Sequence, residues 1–109
     1  MPQRDKIEAL LGFAVRASKL VYGIDNIVKA KKRFFLLVLS SDASDNLKDA
    51  AVKEAAKRKI AVIQTKKPLH DIIPKQNCKL AALADKGMSE AIKINLNDGY
   101  SYLGSEVKI

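Results

Sequence analysis

Apolar positions at Ile7, Leu10, Leu11 and Ala14 fall at i, i+3, i+4 and i+7. That is one face of a helix, and it predicts a first helix over about Gln3 to Ala17. Lys19 to Tyr22 (KLVY) reads as a short strand stopped by Gly23. A second helix begins near Asp25 and runs into the basic cluster Lys29, Lys31, Lys32 and Arg33. The continuous apolar run FFLLVLS that follows is the pattern of a central strand covered on both faces. SSDASDN is dense in helix-capping residues, with Ser44 as N-cap and Asp45 well placed for the positive helix end. A third helix then runs to about Arg58, with Leu47, Ala51 and Ala55 inward and Lys48, Lys53 and Lys57 outward.

Ile60 to Ile63 (IAVI) reads as another buried strand, and KKPLHDII as a helix of one or two turns opened by Pro68. Pro74 ends that helix, and PKQN makes a turn. Lys79 to Ala84 (KLAALA) is assigned as a fourth strand, although its alanines and leucines also suit a helix. Asp85-Lys86-Gly87 turns into a last helix carrying Met88, Ala91 and Ile92. The tail from Asn97 is left as a hairpin or a frayed end. Alternation of helices with four short strands predicts one α/β domain with helices on both faces of a small sheet. There is no repeat, linker or low-complexity segment.

Composition sharpens this picture at one point. The chain has 109 residues, 48% of them hydrophobic, which suits a single modest core. Its 20 Lys and Arg against 12 Asp and Glu leave a net charge of +8. Such an excess attracts polyanions, so nucleic acid or an anionic surface is the expected partner, unless the charge serves only solubility. The apolar run Phe34 to Leu39 is far short of the ~20 residues a spanning helix needs, and the N-terminal stretch carries Asp5 and Glu8 where a signal peptide is basic. No membrane association is therefore expected. Cys78 is the single cysteine, which fits a reducing cytoplasm.

Candidates for catalysis are thin. His70 and Cys78 are the lone residues of their types and form no recognisable nucleophile motif. Paired metal-ligand spacings, a phosphate-binding P-loop and a dinucleotide fingerprint are all missing. No cofactor and no metal are expected. The basic positions make better sense. Arg16 and Lys19 flank the first turn, Lys29 to Arg33 end the second helix, and Lys66 and Lys67 precede the short helix. If strands one to three lie side by side, loops at the same sheet end gather several of these groups. Gly23, lacking a Cβ, would let the start of helix two approach a ligand closely, unless it merely turns the chain.

Four stretches, LLGFAVRASKLVYGIDNIVKAKK, FFLLVLSSDAS, IAVIQTKKPLHDII and KLAALADKGMSEAI, resemble in order and spacing a known group. They are similar to the kink-turn RNA-binding ribosomal proteins, the L-seven-Ae and L-thirty-e family, and within it to the small bacterial YlxQ-like ribosome-associated branch. The likeness runs from about Ile7 to Ile94. It implies a three-layer α/β/α sandwich on a small four-stranded mixed sheet, with no catalytic activity and no cofactor. It also implies binding to folded RNA, typically a kink-turn with tandem sheared G·A pairs.

In the family, a Gly-x-Asn-Glu-x-x-Lys or Gly-x-Lys-Gln-x-x-Lys motif opens helix two and reads those pairs. Carried over, its positions are Gly23, Asp25, Asn26 and Lys29; Gly23 and Lys29 match, and Asp25 and Asn26 depart from both versions. Ser41 lies in the matching polar turn after the second strand. Ile72 and Ile73 stand in the loop that packs on a flipped-out nucleotide in the relatives. Lys19, Lys31, Lys32, Arg33 and Lys66 complete the expected RNA contacts as phosphate ligands. The expected partner is structured RNA, ribosomal RNA first among them, bound at the ribosome by a monomer. The alternative from another class is a protein-interaction adaptor on the same scaffold, its charge directed at an acidic partner.

Overall fold

The computed structural model describes residues 6–73, 78–96 and 100–103, the last four by their backbone pairing alone. Helix α1 spans Lys6–Arg16 and feeds strand β1, Leu20–Tyr22. Helix α2, Ile24–Lys29, returns to strand β2, Leu36–Leu39. Helix α3, Asp45–Arg58, leads to strand β3, Ala61–Thr65. A single 3-10 turn at Leu69–Asp71 precedes strand β4, Leu80–Leu83, helix α4, Lys86–Ile94, and strand β5, Tyr100–Leu103.

The strands form one mixed sheet in the order β1-β4-β2-β3-β5, with β2 and β3 parallel and every other pair antiparallel. Both faces are covered, so the protein is a three-layer α/β/α sandwich. On one face α1 and α4 pack through Ile7, Leu11, Ala14 and Ile92 onto Leu36, Val38, Ile63, Ala81 and Leu83. On the other, Ile27 of α2 and Ala51 and Ala55 of α3 pack onto Leu37, Leu39, Val62, Leu80 and Ala82. All four residues of β2 are fully buried, as the unbroken apolar run predicts for a strand with helices on both sides.

Three differences from the sequence reading have physical causes. The KLAALA segment is a strand, and it lies between β1 and β2, so strands one to three are not side by side. Its small Ala81 and Ala82, both fully buried, fit a central strand with helices on both faces. The tail adds a strand to the four expected: Tyr100–Leu103 pairs antiparallel with β3 in the register Thr65↔Tyr100 to Val62↔Leu103. This covers what would otherwise be an open sheet edge.

The third difference concerns α2, which stops at Lys29. Ala30 is extended there (φ −69°, ψ 135°). The guanidinium of Arg58, at the end of α3, donates to the carbonyls of Ile27 (2.7 Å) and Ala30 (3.2 Å). Those acceptors are lost to a further helical turn, so Lys31, Lys32 and Arg33 lie in an irregular segment. The helix ends are otherwise as the capping residues dictate. Ser44 Oγ accepts from the Leu47 amide, and Asp85 Oδ1 from that of Met88.

Candidate nucleic-acid interface

Strand direction divides the candidate residues between two ends of the sheet. β1, β2 and β3 run the same way, and β4 runs against them. Their C-terminal ends therefore gather Gly23, Ser40 to Asp42, Lys66, Lys67 and the Leu69–Asp71 turn, together with Lys79 at the start of β4. Their N-terminal ends gather Lys19, Lys31 to Arg33, Phe35 and Lys59. On this side Ala84 donates to the Lys19 carbonyl and Phe35 to that of Leu83, both at 2.8 Å. The ~13 Å rise of a four-residue strand separates the two ends. Several basic groups do share one sheet end, Lys19, Lys31, Lys32 and Arg33, but with β4 inserted between β1 and β2 it is the end opposite Gly23, which Lys66 joins. Lys29 lies between, at the end of α2.

The Gly23 end is tightly wired. Gly23 has φ +88° and ψ 143°, a backbone region essentially reserved for glycine. Its N–H donates to Leu80 O at 2.9 Å, and its carbonyl accepts from Ile27 at 3.0 Å. Asn26 is exposed, but its Nδ2 donates to Tyr22 O at 2.9 Å, which latches α2 onto the end of β1. Asp25 is exposed in the first turn of α2, where a carboxylate is favoured by the amide ends. Gly23, Asp25 and Asn26 therefore each have a role in the turn itself, alongside any contact with a ligand.

Beside them Ser40 is fully buried. Its hydroxyl donates to Asp42 Oδ1 and accepts from the Leu69 amide at 2.9 Å, joining β2 to the 3-10 turn. Lys79 Nζ lies 2.6 Å from Asp42 Oδ2. The bond from Lys79, then that from Ser40, holds the Asp42 carboxyl below the ordinary carboxylate range. Burial, with a smaller contribution from Cys78, pushes the Tyr22 phenol above its ordinary value. Ser41 is half-buried next to this knot and Lys66 is exposed.

Two hydrophobic candidates change role. Ile73 is fully buried in the core under α1 and α4, so its side chain has no surface to offer a nucleotide. Ile72 is half-buried and packs on the same cluster. The remainder of that loop, residues 74–77, lies outside the described residues. His70 is exposed with Nε2 3.6 Å from Asp71 Oδ1, whereas Cys78 is buried in the core. Among the described residues no group of three or more His, Cys, Asp or Glu is placed to hold a metal ion, and no helix is long and apolar enough to cross a membrane.

The opposite end holds what sequence reasoning missed. A cavity of about 480 Å³ opens between the starts of β2 and β3 and the flank of α4; its wall includes Arg33, Phe35, Arg58, Lys59, Lys86 and Lys93. These residues lie far apart in sequence. A parallel β2–β3 pair with β4 antiparallel to it puts the two strand starts beside the start of α4. Phe35 read simply as part of a strand, and the Lys59 and Lys86 positions as helix ends.

No family model and no curated protein sequence matches the chain. Among solved structures, a protein with unknown function from Bacillus halodurans C has the same fold. It superposes with a TM-score of 0.75 at 28% sequence identity, over 84% of this chain and 96% of that one.

Proposed function

We propose that this protein binds structured RNA, of the ribosomal or kink-turn kind, without carrying out a reaction on it and without a cofactor. In this reading it acts as a monomer in the cytoplasm, in association with the ribosome. One observation carries it. Lys19, Lys29, Lys31, Lys32, Arg33 and Lys66 are all exposed, and none of them enters an ion pair among the described residues. These cations are therefore displayed at the surface rather than paired within the fold, which is the arrangement a polyphosphate backbone selects.

RNA is favoured over other polyanions by the resemblance of Ile7 to Ile94 to kink-turn binders. The β1–α2 turn supports the same choice, because there backbone without a Cβ lies open at Gly23, whose nearest neighbour to an added Cβ is Asn26 Nδ2 at 3.9 Å. Lys66 and Ser41 lie at the same end of the sheet as that turn, and Lys29 at the end of α2 leads to Lys31, Lys32 and Arg33 at the opposite end.

The test is a titration of a folded RNA carrying a kink-turn across a range of salt concentrations. The affinity is expected to fall linearly in log–log form, by about 0.9 per phosphate contacted on a duplex. Lys31→Glu with Lys32→Glu should lower the slope by about 1 for each contact removed. A flat salt response would overturn the reading. So would salt-sensitive binding to an acidic protein with none to RNA, which is the behaviour of an adaptor.

A further inference from the structure

The basic cavity at the far end of the sheet shares only Arg33 with the RNA contacts proposed above. Five cations line it (Arg33, Arg58, Lys59, Lys86 and Lys93) against the single carboxylate of Glu90. The donors of Arg58 are committed to Glu54 and to the carbonyls that end α2. The other four are exposed and make no ion pair among the described residues. Arg33 lies over the half-buried Phe35 ring, 5.3 Å from its centroid, giving the wall an aromatic–guanidinium platform. The volume of about 480 Å³ falls within the range of roughly 300–1,000 Å³ typical of small-ligand sites, room for one nucleotide rather than for a duplex.

Lys59 adds an independent sign. It caps α3 in the left-handed region, φ 60° and ψ 43°, where the Ile60 amide bonds Ala55 O at 2.9 Å and the Lys59 amide bonds Ala56 O at 3.1 Å. That geometry ordinarily selects glycine. A lysine here forgoes backbone comfort and puts a long cation on the cavity wall.

We propose that this cavity is a second RNA site, which seats a phosphate of a single-stranded segment among Arg33, Lys59, Lys86 and Lys93, with the neighbouring base against Phe35. A bare phosphate would meet Glu90 unfavourably, whereas the N–H donors of a base can use that carboxylate. A protein with contacts at both sheet ends holds two RNA segments at once. The cavity rests on the proposed RNA-binding reading only for the identity of its ligand.

A labelled short single-stranded oligocytidylate, followed by fluorescence anisotropy, tests it on the full chain. Lys59→Gly should melt at or above the parent's temperature, since glycine suits the left-handed cap, yet bind the oligonucleotide about tenfold more weakly for one lost charge-assisted contact. Its salt slope should drop by about 0.7, the single-strand value per phosphate. Lys86→Glu with Lys93→Glu should weaken binding further, while Lys53→Glu, exposed on α3 and outside the cavity wall, should leave it unchanged. Inorganic polyphosphate of matched charge should compete poorly. Binding of the parent too weak to detect, parent-like binding by the Lys59, Lys86 and Lys93 variants, or equal competition by polyphosphate would each overturn the proposal. Oligonucleotide binding that these variants abolish, in a protein that ignores a folded kink-turn, would retain the cavity and reject the Gly23 reading.

Discussion

Arg58→Ala is expected to lower the unfolding free energy by about 3–5 kcal/mol, the usual cost of removing one partner from a buried ion pair. Glu54 is only 7% exposed, and Arg58 Nε approaches its Oε2 at 2.8 Å. The same guanidinium donates to Ile27 O at 2.7 Å, Ala30 O at 3.2 Å and, more distantly, Lys32 O at 3.4 Å. It also stacks over Phe34 at 4.9 Å from the ring centroid. Truncation would leave the carboxylate only the distant Lys57 Nζ at 3.9 Å, free the carbonyls at the end of α2 and uncover an aromatic ring together.

The melting temperature should fall by more than about 10 °C. Glu54→Gln should be milder, since the guanidinium keeps its hold on α2. Arg58→Lys should rescue little, because one ammonium cannot span donors that the planar fork reaches together. Chemical denaturation of the three variants measures this ordering. An Arg58→Ala protein within about 1 kcal/mol of the parent would show that the guanidinium contributes no more than a surface charge.

Gly23→Ala is expected to cost about 1–3 kcal/mol, from backbone strain rather than from a clash. The added Cβ would meet nothing nearer than Asn26 Nδ2 at 3.9 Å, but φ is +88°, where an L side chain is strained regardless of room. The urea midpoint should drop with the m-value unchanged. RNA affinity measured well below the melting temperature then reports separately on close approach at this turn. An unchanged midpoint would mean that the β1–α2 turn adopts another backbone at no cost, and that glycine is dispensable there.

Much of this architecture was legible in the residues. The i, i+3, i+4, i+7 pattern of α1, the buried run of β2 and the Ser44 cap of α3 each follow from a local rule, and each is where that rule puts it. Other features depend on partners distant in sequence. The end of α2 is set by Arg58, whose guanidinium reaches back to Ile27 and Ala30, and nothing within residues 24–33 announces that stop. The place of β4 between β1 and β2 decides which loops share an end, and short apolar strands carry little information about their neighbours. Ile73 shows the same limit: an isoleucine in a short loop reads equally as a surface contact or as core, and its packing under α1 and α4 settles which. Of the candidate site, the residue types were readable, and the division between two ends of the sheet was not.

The most direct test of RNA binding is ultraviolet cross-linking of the protein in living cells, with sequencing of the attached RNA and mapping of the cross-linked peptides. Enrichment of structured RNA, ribosomal RNA foremost, is predicted, with adducts in the peptides holding Gly23 to Arg33 and Phe35 or Lys59. Recovery of RNA no higher than from a non-binding control protein would contradict the account.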